Sequence, residues 1–499
     1  LSWLVAYLAV IIWGVYYYYF VSIFDYWKKQ GVKGIKPTSI FGNLKDVYLM
    51  RTTMYDYFCK LYYDYKDEKM VGFFNVNEPS LFLKDQEYIK DVLIKDFPTF
   101  ADRSFYPVPS VEPFSQHLFR LEEKRWRPLR YRLSPVFTSG KLKDMLHLML
   151  ECSEQFERYL DEQIAKGEPL DCRELTAKFT TDVIGSCAFG IETNAMSTEY
   201  NEFREMGKQI FEGDWKAFFR ERLAEVPSLY KIVGKIFQNN QITKFFTGLT
   251  KETIDYRIRN NVYRHDFVDT LVELKRHPEK LGVKELDDIF IAAQAFVFFA
   301  AGFETSSITM MNSLYELALN QDIQEKLRED INNTLENNDG KITYESINDM
   351  KYLHCFSQEI LRKYPPVLFL TRTALSDYTF KGSNVHVSKG NKIYIPVFMR
   401  HHDPEIYPNP EIFDPERFTE ENIKTRHPMD YLPFGTGPRN CIGARFANYQ
   451  SKVGLIKILR NYHIDVCEKT AKEYGFNAVL SFIFSPKCPI FVKMTKLQK

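Results

Sequence analysis

A chain of 499 residues and 58.9 kDa, 45% hydrophobic and 26% charged, has the composition of a globular protein and excludes disordered or fibrous classes. Its 66 basic and 65 acidic side chains leave a net charge of +1, so no global electrostatic case for nucleic acid exists. Eight cysteines exclude a disulfide scaffold, and 23 glycines and 23 prolines exclude collagen-like or low-complexity sequence.

Residues 1–24 carry no charge. As a helix they would rise about 36 Å, enough for a hydrocarbon core of about 30 Å. Tyr16 to Tyr19 read as an interfacial belt, and Lys28 and Lys29 favour a cytoplasmic C-terminal side. A cleaved signal peptide is the rival, disfavoured by the length of the run and the lack of a basic n-region or small-residue cleavage site. The expected organisation is a transmembrane anchor over 1–24, a basic linker over 25–43 and one large domain over 44–499, because no Gly/Ser-rich segment divides the remainder. On the cytosolic side the cysteines, none in a C-x-x-C pair, stay reduced.

Further along, Leu142, Met145, Leu146, Met149, Phe156 and Leu160 follow a helical spacing. Residues 172–190 read as a helix ending near Gly190, and 199–260 as helical with the aromatics Phe211, Trp215, Phe218 and Phe219. From Ile289 to Phe303 only Gln294 is polar. This predicts a buried central helix over 287–320, with a second membrane span as the weaker reading. Residues 363–440 hold 10 of the 23 prolines and read as loop, turn and short strand, before helix resumes after Cys441.

The segment Phe434-Gly-Thr-Gly437-Pro-Arg439-Asn-Cys441-Ile-Gly443 fits F-x-x-G-x-R-x-C-x-G. Five fixed residues match by chance in only about one in ten thousand such chains. Glycines permit a tight turn whose N–H groups point at one sulfur, and a nearby cation lowers the thiol pKa. Phe434 is placed to shield that sulfur. The competing reading is an inert cysteine in a buried loop.

With this motif the chain resembles the cytochrome P450 superfamily of haem-thiolate monooxygenases. The resemblance runs over nearly the whole chain. Phe137-Thr-Ser-Gly-Lys-Leu-Lys143, Asp182-Val-Ile-Gly-Ser-Cys-Ala-Phe-Gly190 and the central helix look most like the insect microsomal family-six enzymes of clan three. It implies a mainly α fold with smaller β-sheets, haem b with Cys441 as axial ligand of the iron, and dioxygen as co-substrate. Ala301-Gly-Phe-Glu304-Thr305 resembles the oxygen-activation motif: Gly302 would leave room for a ligand, Thr305 would hydrogen-bond dioxygen or water, and Glu304 would relay protons. The alternative for Thr305 is a hydroxyl back-bonded to the carbonyl of Ala301.

By the same resemblance Trp126 and Arg130, one helical turn apart, hold a haem propionate together with Arg372 and Arg439, with Arg103 as a further candidate. A solvated surface charge is the other reading of each arginine. Glu359-Ile-Leu-Arg362, stopped by Tyr364-Pro365-Pro366, resembles the family's structural E-x-x-R pair, with Arg417 as its partner.

Residues 120–143 contain eight basic and two acidic side chains, a net +6 that reads either as a solvated helix face or as a docking patch for an acidic redox partner. The chain has neither G-x-x-x-x-G-K-[ST] nor G-x-G-x-x-G, which favours an external electron donor; the resemblance implies NADPH through a flavoprotein reductase, with a small haem electron carrier as a further partner. The resemblance places the substrate pocket among the 103–120 loop, the 205–245 stretch, Phe296 to Phe303, Val367 to Leu370 and the turn near Leu480 to Phe484. These are apolar segments suited to a lipophilic substrate. The expected location is the endoplasmic reticulum membrane, with a single-pass anchor and the catalytic domain on the cytosolic face. Two rivals remain: a haem-thiolate isomerase or lyase acting on a peroxide without external electrons, and a non-catalytic haem or lipid binder. The absence of H-E-x-x-H and of C-x-x-C-H removes a zinc hydrolase and a c-type haem.

Overall fold

The computed structural model describes every residue except 1, 21, 198–199, 212–218, 221–222, 225–226, 239, 473, 476–482 and 499. The chain is mainly helical with small sheets, and its contacts within 44–499 and before it group into two compact units. The first comprises Leu1–Phe105, Val367–Pro408 and His427–Asn440; the second comprises Tyr106–Pro366, Asn409–Arg426 and Cys441–Lys499.

In the first unit, α1 (Ser2–Phe20) occupies the uncharged N-terminal run, and Trp3, Tyr7, Val10, Trp13 and Tyr18 on it are exposed. Four strands follow, β1 (Met70–Asn75), β2 (Glu78–Leu83), β3 (Phe369–Thr373) and β4 (Lys392–Pro396), in the order β1-β2-β4-β3. β2 and β4 run parallel with Ser80 opposite Lys392, and β3 and β4 antiparallel with Arg372 opposite Ile393. These strands come from distant stretches of sequence, so a linear reading of domains does not find this sheet.

The stretch 25–43, expected as a linker, is packed onto that sheet. Trp27 is buried over Gly72 and its indole N–H donates to the Phe73 carbonyl at 3.1 Å. Gly34 bridges Gly72 so closely that a Cβ would lie 2.0 Å from the Gly72 oxygen. The Tyr26 hydroxyl donates to Asn391 Oδ1 at 2.8 Å, and the Gln30 side-chain carbonyl accepts from the His386 N–H at 2.6 Å. Burying one indole and one tyrosine ring outweighs the flexibility that the flanking glycines suggest.

The second unit is built on helices α2 (Glu123–Leu133), α3 (Ser139–Ala165), α4 (Cys172–Ile184), α5 (Glu202–Phe211), α6 (Asp288–Leu319), α7 (Lys351–Lys363) and α8 (Ala444–Asn461). A small sheet of Leu170–Asp171, Phe491–Lys496 and Tyr462–Asp465 closes it. α3 buries the periodic residues Leu142, Met145, Leu146, Met149, Phe156 and Leu160. α4 ends at Ile184, and a π-helical turn, Gly185–Phe189, closes on left-handed Gly190. The 199–260 tract divides into α5, Pro227–Val233 and Asn240–Asn260. Trp215 and Phe218 lie outside the described residues.

α6 starts at Asp287, whose carboxylate accepts from the Phe290 N–H at 2.6 Å. Among the described residues it is the helix long and apolar enough to span a membrane, but two-thirds of its apolar window is buried within the protein. It is therefore the core helix. Gly302 allows a close approach to α4: a Cβ there would lie 2.7 Å from Ile184 Cδ1. The glycine lets the Ile184 side chain of α4 approach at this point.

Candidate functional site

Cys441 stands apart from the other cysteines by its surroundings. Burial pushes the thiols of Cys59 and Cys152 up to about 12, those of Cys172 and Cys187 well above the usual range, and that of Cys355 upward. Cys441 is exposed and sits two residues before Gly443, the N-cap of the 18-residue α8. A helix N-terminus favours a thiolate over a thiol. A Cβ on Gly443 would meet only Phe137 Cε1, at 3.9 Å, so space is open at this helix start. Burial lowers the Arg130 guanidinium, and the negative charge of Cys441 opposes that shift. The second unit thus brings Arg130 and Cys441 within electrostatic reach of each other, with Trp126 buried one turn earlier on α2.

The loop preceding Cys441 belongs to the first unit. Gly437 has φ +76°, and a Cβ there would lie 2.0 Å from the Leu93 carbonyl oxygen, so no other residue fits. Arg439 is buried; it donates to the Ala101 carbonyl and lies 3.6 Å from Asp102. Arg103 Nη2 donates to the Arg439 carbonyl at 3.0 Å and so braces this loop. Phe434 is half-buried in the same unit. Arg372, on β3, is fully enclosed; its Nη1 donates to the Thr371 carbonyl at 2.8 Å, while its Nε has no hydrogen-bond partner among the described residues. Burial first, and the neighbouring Arg439 charge second, bring the Arg372 guanidinium down to about 9. Two buried guanidiniums with an orphaned N–H call for an anion. Within the first unit Arg372 and Arg439 suit the propionates of a haem, and within the second the exposed Cys441 suits its iron. Among the described residues no cluster of three or more His, Cys, Asp or Glu forms a metal site of another kind.

The central helix presents one open line. Between Ile291 and Ala318 the residues that are not buried are Phe296, Val297, Ala301, Gly302, Thr305 and Thr309. Val297, Ala301, Thr305 and Thr309 recur every fourth residue and share one face. The Thr305 hydroxyl donates to the Ala301 carbonyl at 2.7 Å, the back-bonded arrangement, and Thr309 repeats it on the Thr305 carbonyl at 2.8 Å. The hydroxyl oxygen of Thr305 keeps lone pairs for an outside donor. Glu304 points elsewhere: it is buried, and its Oε1 accepts from Arg173 Nη2 at 2.6 Å. Arg173 was not legible in the sequence, where no pattern links it to Glu304.

Aromatic rings surround the same helix within the second unit. Phe296 meets Phe114 at 5.1 Å and Phe246 at 5.4 Å between centroids. Phe299 and Phe303 are wholly buried, 5.4 Å apart, and Phe211 packs on Phe303 at 5.8 Å. Those two rings serve helix packing, leaving Phe296 as the accessible ring of the expected Phe296 to Phe303 lining. Leu480 lies outside the described residues, and the Phe484 N–H donates to the Pro366 carbonyl at 2.9 Å.

Glu359, Arg362 and Arg417 do come together. Glu359 and Arg362 are wholly buried and joined by bonds of 2.7 and 2.8 Å; Arg417 Nε lies 3.5 Å from Glu359. The 120–143 stretch is less bare than its sequence implies. Arg120 pairs with Glu112, Arg125 with Glu122, Arg127 with Glu123, and Lys143 with Glu345. Two of those acids come from outside the stretch, which reduces the net +6.

A family model described as Cytochrome P450 matches residues 32–493. The chain is 40% identical over 479 residues to Cytochrome P450 6a2 of Drosophila melanogaster, covering 93% of this chain and 94% of that one. It is 39% identical over 499 residues to Cytochrome P450 6B1 of Papilio polyxenes, covering 98% and 99%. Cytochrome P450 6A1 of Musca domestica is 39% identical over 487 residues, covering 95% and 94%.

Proposed function

The chain belongs to the cytochrome P450 family, hence to the haem-dependent monooxygenase oxidoreductases, and from that premise we propose a membrane-anchored, NADPH-dependent enzyme that oxidises lipophilic small molecules. Xenobiotics such as plant toxins or insecticides, and endogenous lipids, are the proposed substrates. The observation that carries this reading is the pairing, within one compact unit, of an exposed cysteine at a helix N-terminus with a buried helix opened along Ala301 and Thr305. Haem held by Cys441 would supply a thiolate-ligated iron for dioxygen activation. In the same unit Trp126 and Arg130 would hold it, and the resemblance alone adds Arg372 and Arg439 as propionate partners. Thr305 holds a water on its free lone pair and passes a proton to the open face, and Glu304 is the acid behind it. Phe296 and Phe114 exclude bulk water and favour apolar substrates.

Replacing Thr305 by alanine tests the reading. NADPH consumption continues and haem content stays normal, while product per NADPH falls about tenfold or more and hydrogen peroxide rises. An unchanged product yield per NADPH across several substrates leaves Thr305 a back-bonded helix residue. That result would favour the second reading, an isomerase or lyase acting on a peroxide. One observation supports that alternative: the Thr305 hydroxyl and Glu304 are both engaged within the protein.

Electrons are proposed to come from NADPH through a flavoprotein reductase, with a small haem carrier as an additional donor. Among the described residues, Lys124 and Arg132 are the cations of the 120–143 patch with no carboxylate within ion-pair distance, so the docking reading rests on fewer charges than the sequence offered. The proposed location is the endoplasmic reticulum membrane, with 1–24 as single-pass anchor and the catalytic part on the cytosolic face; the exposed apolar rings of α1 support it. Deleting residues 1–24 leaves a haem-binding protein, because the strap from Asp25 onward holds its own contacts to the sheet. Spectroscopic haem content of the truncated protein checks this; loss of haem binding would make α1 part of the folded core.

A further inference from the structure

Glu304 is the one acid on α6 between Asp288 and Glu316, and its side chain is 3% exposed. A carboxylate taken out of water at that depth needs a charged partner or takes up a proton. Its partner comes from α4, 131 residues earlier in the chain: Arg173 Nη2 donates to Glu304 Oε1 at 2.6 Å. Arg173 is itself held at both ends. Asp171, capping α4, accepts from the Arg173 backbone N–H at 2.9 Å, and Arg173 Nη1 donates to Ser485 Oγ at 3.2 Å. The adjoining acid, Glu174, is engaged by Arg204 Nη2 at 2.7 Å. Around the pair, Thr176 donates to the Ser307 carbonyl at 3.0 Å and Thr180 to the Phe303 carbonyl at 3.1 Å, so α4 is fastened to α6 next to Glu304. Arg173 is 30% exposed, so the pair runs from solvent to the core.

We propose that Arg173 is a positioning residue of the reaction: it keeps Glu304 a carboxylate inside the core, one residue from Thr305, and is the end of the pair that water reaches. The role rests on the monooxygenase reading, in which Glu304 is the acid behind Thr305. In it Glu304 takes one proton and gives one up, returning to the carboxylate, while Arg173 stays charged throughout. Arg173 touches neither substrate nor cofactor and acts only through Glu304.

The test compares the full-length holoenzyme with R173M, R173K, E304Q and R173M/E304Q. Infrared spectra in deuterated buffer should show a protonated-carboxyl C=O band in R173M that is absent from wild type, R173K and R173M/E304Q. Product per NADPH should fall about tenfold or more in R173M with haem content unchanged, and R173K should recover most of it. A loss of coupling without the new band, or a new band with full coupling, overturns the proposal. Should R173M not fold, R173Q, which keeps a donor without the charge, carries the same comparison. Absence of product from wild type with every electron source would sink the monooxygenase reading, whereas the infrared band would still decide whether Arg173 holds Glu304 ionised.

Discussion

Cys441→Ala abolishes the red-shifted ferrous-carbonyl Soret band and all monooxygenation, while Cys488→Ser, at the other exposed thiol, leaves both intact. The physical case is a contrast of environments. Cys59, Cys152, Cys172, Cys187 and Cys355 are held as thiols by burial, and a thiol is a poor metal ligand. Cys441 lies at the start of α8, where the orphaned N–H groups of the helix favour negative charge. Cys441→His retains a metal-binding side chain but an imidazole is neutral, so haem binding without the thiolate spectrum is the expected phenotype. Persistence of the thiolate-type carbonyl band in the alanine variant would remove Cys441 from the site.

Glu359→Ala lowers the amount of folded, haem-loaded protein rather than slowing a chemical step. Its carboxylate accepts Arg362 through two bonds of 2.7 and 2.8 Å and the Asp414 N–H at 2.9 Å, with Arg417 at 3.5 Å. Arg362 Nη2 also reaches the Ile412 carbonyl at 3.4 Å, and Arg417 Nη2 the Asn409 carbonyl at 3.0 Å. Glu359 and Arg362 have no solvent exposure, so truncating the acid leaves an uncompensated buried guanidinium, a loss of about 3–5 kcal/mol. Against a typical total of about 5–15 kcal/mol, that empties much of the folded population. Glu359→Gln, which keeps the shape and one acceptor, should fall between wild type and alanine in thermal midpoint and haem content. Normal expression and haem content with lost turnover would assign Glu359 to chemistry instead.

Features written in short windows of sequence were legible. The loop around Cys441 is a run of ten residues, the Glu359–Arg362 pair sits three residues apart on one helix, and the buried run of α6 is continuous; each is governed by local geometry. The sequence by itself determined the central helix, the buried ion pair and the family, and singled out Cys441 as the proposed ligand. The tertiary structure decided what depends on residues far apart in the chain. That Ile184 approaches Gly302 is not written in either local sequence. The segment 25–43 reads as a linker until Gly72 and Phe73 receive Trp27. The patch at 120–143 reads as bare until Glu112 and Glu345 pair with its cations. Glu304 reads as an isolated acid until Arg173 meets it from 131 residues away. Periodicity records which face of an element is apolar, but a buried charge is stabilised by whichever opposite charge the fold brings within hydrogen-bonding distance, and that choice appears only when the helices pack.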